Sequence, residues 1–326
     1  MLDLPKTTVD DLIAFADWAE ASTLLNDKGT LAASEITAAI GGAGLLGTSR
    51  SEVFLDEDTP MRDPDDFSED DEISEFVVEI LGHLQDRSVA LKGNYPFTIS
   101  GDLIQRNFSC AADTPSYSLM VIIALLAKYD PAVSLSKVEG EEGFQQLFEK
   151  VVQASELQLF GKQSSRFGWP REPHFPSGFP ERLGVFGDEM SLLVSRPEAW
   201  DGTIGGNDVG LDIATRVDFG DGGSGTLVIL TQCATGRHWK SKTSEPPDAI
   251  WNRLMHWDAL RARAIAVPWW FPDSKEFEKI HLAFNHAIVL DRRRIMYGDP
   301  DKRLPPPIRD AIVAWIDAQA FQLPPL

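Results

Sequence analysis

Cysteine is scarce in this chain, which has only Cys110 and Cys233 among its 326 residues. Two cysteines exclude both a disulfide framework and a four-cysteine zinc site. Long apolar runs are also missing: no 18 consecutive residues are apolar, so we expect no membrane-spanning helix and no membrane partner. The N-terminal segment is acidic and lacks the apolar core of a signal peptide. Together these absences predict a cytoplasmic protein.

Basic residues are few as well, with 30 Lys and Arg against 50 Asp and Glu and a net charge of −20. The deficit is uneven, because residues 1–160 carry 10 basic and 29 acidic side chains, whereas residues 161–326 carry 20 and 21. An acidic surface repels phosphates, so only the second half is suited to contact a nucleic-acid backbone. Its basic clusters are Arg237–Lys240–Lys242, Arg261–Arg263 and Arg292–Arg294.

The length predicts two domains at a prior of roughly 150 residues each. We place the boundary at residue 160, where a segment rich in Gly, Pro and aromatic residues begins. Residues 1–160 read as an acidic, mainly helical domain that regulates the second or binds a protein partner. Helical spacing of apolar residues occurs over Val9–Glu20, Thr30–Ile40, Ile73–Leu84, Tyr117–Tyr129 and Phe144–Val152, with a loop at Asp56–Glu72 and one strand at Tyr95–Leu103.

Residues 161–326 alternate between strand-like and helix-like patterns, which predicts an α/β domain with a mixed sheet flanked by helices. Two apolar strands joined by a Gly/Asp turn predict a hairpin, and a strand–helix–strand order further on predicts a parallel pair. The predicted elements are helix Pro180–Val194, strands Val209–Phe219 and Thr226–Ala234, helix Pro247–Leu260, strand Arg263–Trp269, helix Ser274–Ala283, strand His286–Asp291 and helix Pro307–Ala320.

Two polar side chains interrupt the apolar pattern of the predicted hairpin. Asp212 lies between Leu211 and Ile213, and Gln232 ends an apolar run. Asp is disfavoured within strands, and a buried amide needs partners, so neither residue suits a purely structural role. Adjacent strands lie roughly 4.8 Å apart, which allows both side chains to meet at one site. Such oxygen ligands suit Mg²⁺, with Mn²⁺ as the alternative ion.

At these residues the sequence resembles the PD-(D/E)XK, or restriction-endonuclease-like, nuclease superfamily. The motif Gly210-Leu211-Asp212 followed by Gln232 on the next strand is most similar to the Mrr-like branch. The resemblance implies a core of one helix, three antiparallel strands, a crossover helix and a further strand. It also implies that Asp212 and Gln232 bind a divalent metal. Asp208, which lies between Gly206 and Gly210, is either a second ligand or a turn former.

The same resemblance assigns roles to further residues. The superfamily's lysine is expected two positions after Gln232, where this chain has Ala234, so Lys242, or else Lys240, is the expected substitute. Helix Pro180–Val194 would precede the core strands and supply an accessory acid, Glu181 or Glu189. Arg237, Lys240 and Lys242 are the expected contacts to the phosphate backbone.

The sequence therefore predicts a Mg²⁺-dependent endonuclease that hydrolyses DNA, with RNA as the second choice of substrate. The resemblance implies a setting in bacterial restriction or antiviral defence. Because Ala234 replaces the expected lysine, the alternative is a nuclease fold that binds nucleic acid or serves as a scaffold without cutting. A third interpretation is an unrelated α/β domain in which the motif is a coincidence.

Overall fold

The computed structural model describes residues 12–42, 69–107, 114–128, 143–161, 163–195, 208–217, 219–221, 225–236, 238–271 and 274–320. The chain divides into two compact units. The first comprises Met1–Ser136 and Ile316–Leu326, and the second comprises Lys137–Trp315. Among the described residues, no helix has the length and apolar character needed to cross a membrane.

The first unit combines helices with a small antiparallel sheet. Its described elements are α1 (Leu12–Leu25), β1 (Thr30–Ala32), α2 (Ala33–Gly42), α3 (Glu69–Leu91), β2 (Phe97–Ser100), β3 (Leu103–Arg106) and α4 (Pro115–Lys128). The strand order is β1-β3-β2. The sequence predicted one strand here, but the segment forms a hairpin, and residues 30–32, predicted as helix, pair with β3. Pairing along a strand overrides the weak local helix preference.

A charged network lies inside the first unit. The guanidinium group of Arg87 lies 2.8 Å from Asp17 Oδ1 and 2.7 Å from Glu20 Oε2, and all three side chains are buried. The hydroxyls of Tyr95 and Tyr117 both donate to Glu20 Oε1 at 2.7 Å. The network joins α1 to α3 and α4, and losing one partner would leave a buried charge uncompensated.

The second unit contains a five-stranded mixed sheet. Its elements are α5 (Phe144–Leu159), β4 (Gln163–Arg166), α6 (Phe179–Met190), β5 (Leu193–Val194), β6 (Ile213–Val217), β7 (Leu227–Cys233), α7 (Asp248–Leu254), β8 (Met255–His256), β9 (Leu260–Ala266), α8 (Ser274–Ala283), β10 (Ile288–Leu290), α9 (Arg292–Tyr297) and α10 (Pro306–Ala320), of which residues 316–320 group with the first unit. The main sheet has the order β10-β9-β7-β6-β4, and β5 pairs only with β8. This mixed α/β architecture agrees with the predicted class.

Strand directions follow the pattern expected from the sequence for the hairpin and the crossover. Strand β6 is antiparallel to both β4 and β7, while β9 is parallel to β7 and to β10. Ala214, Val228 and Leu230 pack into an apolar cluster with side chains of α6 and α7. Because side chains alternate along a strand, Gln232 of β7 belongs to this same face of the sheet.

The unit boundary and the start of the core differ from the expectation. Helix α5, assigned from the sequence to the first domain, lies within Lys137–Trp315. Its buried residues include Leu147, Phe148, Val151 and Val152, and its Glu156 accepts hydrogen bonds from Thr215 and Thr231. The first strand of the sheet is β4, which precedes α6 and lies in the segment predicted as a boundary loop. The change in charge at residue 160 is a property of the surface residues. The boundary of the unit is set by packing, and it therefore lies elsewhere in the sequence.

Candidate functional site

Asp212 and Gln232, the two polar residues of the predicted hairpin, are in direct contact. Asp212 immediately precedes β6, and its backbone N–H donates to Thr231 O at 3.1 Å. Its carboxylate Oδ2 accepts hydrogen bonds from Gln232 Nε2 at 2.6 Å and from the Cys233 backbone N–H at 2.7 Å. Both side chains are buried. The end of the hairpin thus holds one acid and one amide in a fixed arrangement.

Glu149 of α5 is the third member of the cluster. A Cβ added at Gly168 would lie 2.6 Å from Glu149 Oε2 and 3.1 Å from Asp212 Oδ1. Because Gly168 has no side chain, both carboxylates can approach its Cα closely, and they therefore lie near each other. The Gly168 backbone is held there because its N–H donates to Asp212 O at 3.0 Å.

Arg166, at the end of β4, holds Glu149 in place. Its Nε lies 2.6 Å from Glu149 Oε2, and its Nη1 donates to Glu172 Oε1 at 3.0 Å and to Pro170 O at 2.9 Å. Arg166 is only 3% exposed. One guanidinium group therefore contacts two carboxyl groups, those of Glu149 and Glu172.

The electrostatics of the cluster disfavour two simultaneous carboxylates. Burial raises the pKa of Asp212 above its ordinary value, the Cys233 N–H opposes this rise, and Asp208 adds to it. Burial also raises the pKa of Glu149, and the nearby Asp212 raises it further, while Arg166 lowers it. Excess buried acidity of this kind is relieved either by protons or by a cation.

The amide oxygen of Gln232 strengthens the case for a cation. Gln232 is 4% exposed, and its Oε1 is buried with no hydrogen-bond partner among the described residues. Its Nε2 donates hydrogen bonds to both Asp212 Oδ2 and the Cys233 carbonyl oxygen. No group of three His, Cys, Asp or Glu side chains placed to hold a metal occurs in the described part of the chain. The cluster instead offers two carboxyls and an amide, an all-oxygen set that fits Mg²⁺ or Mn²⁺ when water completes the coordination.

The two candidate lysines differ in their surroundings. The positive charge of Lys242 lowers the pKa of Asp212, and its Nζ lies 3.6 Å from Glu245 Oε2. Lys240 Nζ instead lies 5.6 Å from the centre of the Trp239 ring. Lys242 is thus the lysine whose charge reaches the cluster. Arg237, the third predicted phosphate contact, lies outside the described residues.

The remaining predicted site residues lie elsewhere or have a local role. Asp208 Oδ1 accepts from the Gly210 N–H at 3.0 Å, which is the turn-forming role considered from the sequence. Glu181 is exposed in the first turn of α6, with its carboxylate beside Gly178. Glu189 accepts from Ser165 Oγ at 2.6 Å and contacts His174 Nε2 at 2.9 Å, on the wall of a cavity of about 660 Å³ that Arg166 also lines. Neither glutamate has a described contact with Asp212. The acid that lies beside Asp212 is instead Glu149.

The position after Gln232-Cys233 carries no cation. Ala234 is buried, and its backbone N–H donates to Ala266 O at 2.9 Å. Burial raises the pKa of the Cys233 thiol well above its ordinary value, and the neighbouring Asp212, Glu149 and Glu156 raise it further. A thiolate nucleophile is therefore disfavoured, as the apolar strand before Cys233 predicted.

Glu149 and Arg166 are the site residues that the sequence analysis missed. Glu149 sits within the apolar pattern of α5, seven residues before the buried Glu156, so two acids two turns apart lie on a helix with a buried face. That spacing is visible in the sequence, but acids on amphipathic helices are usually exposed. Arg166 ends a polar strand of four residues that local pattern does not distinguish from a loop.

Comparisons with protein-family models, with characterised proteins and with solved structures found no match to this chain.

Proposed function

We propose that the second unit is a divalent-metal-dependent nuclease that hydrolyses phosphodiester bonds in DNA. The observation that carries the proposal is the convergence of Asp212, Glu149 and Gln232, three buried polar side chains with more oxygen acceptors than donors. The restriction-endonuclease-like family and a role in bacterial restriction or antiviral defence belong to the same proposal. RNA is the second choice of substrate.

The strand order supports the family assignment. Helix α5, antiparallel strands β4, β6 and β7, crossover helix α7 and parallel strand β9 follow one another in the order that the resemblance implies, with α6 and the β5–β8 pair added. Asp212 at the start of β6, Gln232 near the end of β7 and Glu149 on the first helix all reach one end of this sheet. Fold alone does not establish an activity, so the proposal depends on the site.

Each residue has a role that follows from its contacts. Asp212, Glu149 and the Gln232 amide oxygen would hold the metal. Arg166 orients Glu149, while the Cys233 N–H and Gln232 Nε2 orient Asp212. Lys242 favours the ionised form of Asp212.

The reaction is a hydrolysis without redox change. Water adds its oxygen to phosphorus, and the bond from phosphorus to the leaving deoxyribose oxygen breaks. Overall, one proton of the water passes to that leaving oxygen. A bound divalent cation supplies activation of water and stabilisation of the charge that builds on the phosphate oxygens.

Cleavage of supercoiled and linear DNA by the purified full chain tests the proposal. We expect nicking with Mg²⁺ or Mn²⁺ and none with EDTA. Asp212→Asn and Glu149→Gln should each reduce the rate by more than about 100-fold, because ligand loss costs at least as much as loss of a ligand's supporting partner. The asparagine keeps an oxygen that accepts from Gln232 and Cys233, so the fold is retained, as circular dichroism would verify.

Glu181→Gln is the matched control, because it neutralises an exposed acid of the same unit. This variant should cut like wild type. Cleavage by Asp212→Asn at the wild-type rate would refute the assigned site. Loss of cleavage in Glu181→Gln would instead assign the accessory acid to Glu181 of α6.

Ala234 favours the second candidate, a nuclease fold that binds nucleic acid without cutting. The buried alanine removes the cation that the family motif carries beside its metal. Wild-type protein that binds DNA with measurable affinity but leaves it intact with both Mg²⁺ and Mn²⁺ would select this alternative over catalysis.

A further inference from the structure

A cavity of about 780 Å³ lies at the far edge of the sheet, beside β10, α8 and α9. Its volume is within the range of small-molecule sites in proteins, roughly 300–1,000 Å³. The walls combine aromatic rings and two guanidinium groups with the polar side chains of Ser274, Glu278 and His281. The lining residues used below are Phe271, Phe277, Glu278, Val289, Arg293, Arg294 and Tyr297.

The two arginines of the cavity have one acid nearby, the buried Asp291, whose pKa burial raises and both of their charges lower. Neither Arg293 nor Arg294 forms an ion pair with a carboxylate of a described residue. The nearby Asp291 is buried, and its oxygens accept from the backbone N–H groups of Phe271 and Arg294. Arg293 donates through Nε to the Tyr297 hydroxyl at 2.9 Å, and Arg294 donates through one Nη to Val289 O at 2.8 Å. The remaining guanidinium N–H groups suit an anion, above all a phosphate.

Aromatic rings lie beside the same two cations. The Arg294 Cζ lies 4.3 Å from the centre of the Phe277 ring, and the Arg293 Cζ lies 5.6 Å from that of Tyr297. Phe271 meets Phe277 edge to face, with ring centres 5.4 Å apart, and Tyr297 is 49% exposed. A planar base can stack on such a ring whatever its identity. Glu278 also faces the cavity, where its carboxylate can accept from an amino or hydroxyl group and disfavours more than one phosphate.

The register places the cavity on the same sheet as the acid cluster. Val289, in the cavity wall, is in register with Ile265 of β9, and Ile265 is in register with Gln232 of β7. Two strand spacings of roughly 4.8 Å separate Val289 from Gln232. The cavity and the proposed metal site therefore lie on nearby strands of one sheet, with β9 between them.

We propose that this cavity binds one nucleotide unit, with its base against Phe277 and Tyr297 and its phosphate against Arg293 and Arg294. The nucleotide is either a free mononucleotide or an unpaired nucleotide of a DNA strand. Only the DNA strand as its source rests on the proposed function. Binding does not require cleavage, so the two proposals can fail separately.

Calorimetric titration of the full-length Asp212→Asn protein tests the cavity without cleavage of the ligand. The probes are deoxyadenosine monophosphate, deoxyadenosine, inorganic phosphate, a single-stranded decanucleotide and its duplex. We expect the monophosphate or the single strand to bind, and Arg293→Gln/Arg294→Gln to weaken that binding by about tenfold or more, because charge-assisted hydrogen bonds are lost. A mononucleotide that binds more tightly than the nucleoside and phosphate identifies a free ligand. Binding by the single strand alone identifies the substrate strand.

Lys275→Gln/Lys279→Gln is the control for general charge, since it removes two cations from α8 that do not line the cavity. Arg293→Gln alone serves if the double variant unfolds, because within the described part of the chain the Arg293 side chain donates a hydrogen bond only to the Tyr297 hydroxyl. Phe277→Leu should weaken binding without a change in charge. Equal weakening by the lysine and arginine pairs, or no binding of any nucleotide probe, would overturn the proposal.

Discussion

Asp212 is the residue on which the interpretation of the second unit depends. An acid held by a backbone N–H and an amide, and buried beside a second acid, has little purpose in a purely structural strand end. An isolated buried charge is costly in free energy. The pKa shift of the group measures how strongly burial favours its protonated form. Glu149 and Gln232 share the cluster, so the proposed cation would account for their oxygens and for that of Asp212 together.

Lys240 and Lys242, the two lysines near the motif, can be distinguished by mutation. Lys242→Ala should reduce DNA cleavage by about tenfold or more, because the variant loses the positive charge that favours ionised Asp212. Lys240→Ala should stay within about twofold of wild type, since Lys240 packs on Trp239. Initial rates of plasmid nicking at fixed Mg²⁺ measure both. A larger loss in Lys240→Ala than in Lys242→Ala would reverse the assignment.

Helix α5 is the element that completes the site. It brings Glu149 to the cluster, and its buried Glu156, whose pKa burial raises to about 7, accepts hydrogen bonds from Thr215 and Thr231 on β6 and β7. On its other side, Ser155 Oγ donates to Ile295 O of α9 at 2.7 Å. The helix is therefore fixed from two directions, which sets the position of Glu149.

Gly298 marks the close approach between α9 and α5. A Cβ there would lie 2.6 Å from the Ser155 carbonyl oxygen and 2.8 Å from the Ser155 Cα, so backbone would have to move. We expect Gly298→Ala to lower the free energy of unfolding by about 1–3 kcal/mol, as in other overpacked sites. Gly184→Ala in α6 is the control: no atom lies within 4 Å of its Cβ, and a helical alanine should stabilise by up to about 1 kcal/mol. Urea denaturation measures both, and similar midpoints for the two variants would contradict this packing.

For the whole molecule, charge distribution constrains function. The net charge of −20 is concentrated in the first 160 residues, while residues 161–326 are close to neutral. Phosphate contacts are therefore expected from the second unit, in agreement with the location of the acid cluster and of Arg293 and Arg294. Within that unit, we expect the excess of buried acid to make stability depend on both cations and pH.

Thermal unfolding of the full chain should reveal this dependence. Because the folded state raises the pKa of Asp212 and Glu149, it binds more protons than the unfolded chain above the ordinary carboxyl range. Without metal, the free energy of unfolding should therefore fall as the pH rises from the ordinary carboxyl pKa to the raised pKa values of the folded state. Mg²⁺ or Mn²⁺ should restore it, increasingly at higher pH as the protons leave, by about 2.7 kcal/mol at 100 times Kd, and EDTA should reverse the effect.

Variants at the cluster separate this effect from other acids. Glu149→Gln should weaken both the pH dependence and the response to metal, whereas Glu181→Gln should match wild type. Glu156 keeps its own contribution in every variant, so the difference between wild type and Glu149→Gln reports the cluster. An identical metal response in wild type and Glu149→Gln would exclude Glu149 as a ligand.

The sequence by itself determined the α/β class of the second half, the β6–β7 hairpin and the two polar residues that interrupt it, because apolar periodicity and residue preferences act over neighbouring positions. It also located α8, whose predicted bounds Ser274–Ala283 agree with the structure. Only the tertiary structure decided that α5 belongs to the second unit, that β4 is the first core strand and that Glu149 rather than Glu181 or Glu189 joins Asp212. Those decisions depend on contacts between residues about 60 positions apart, which no local pattern encodes.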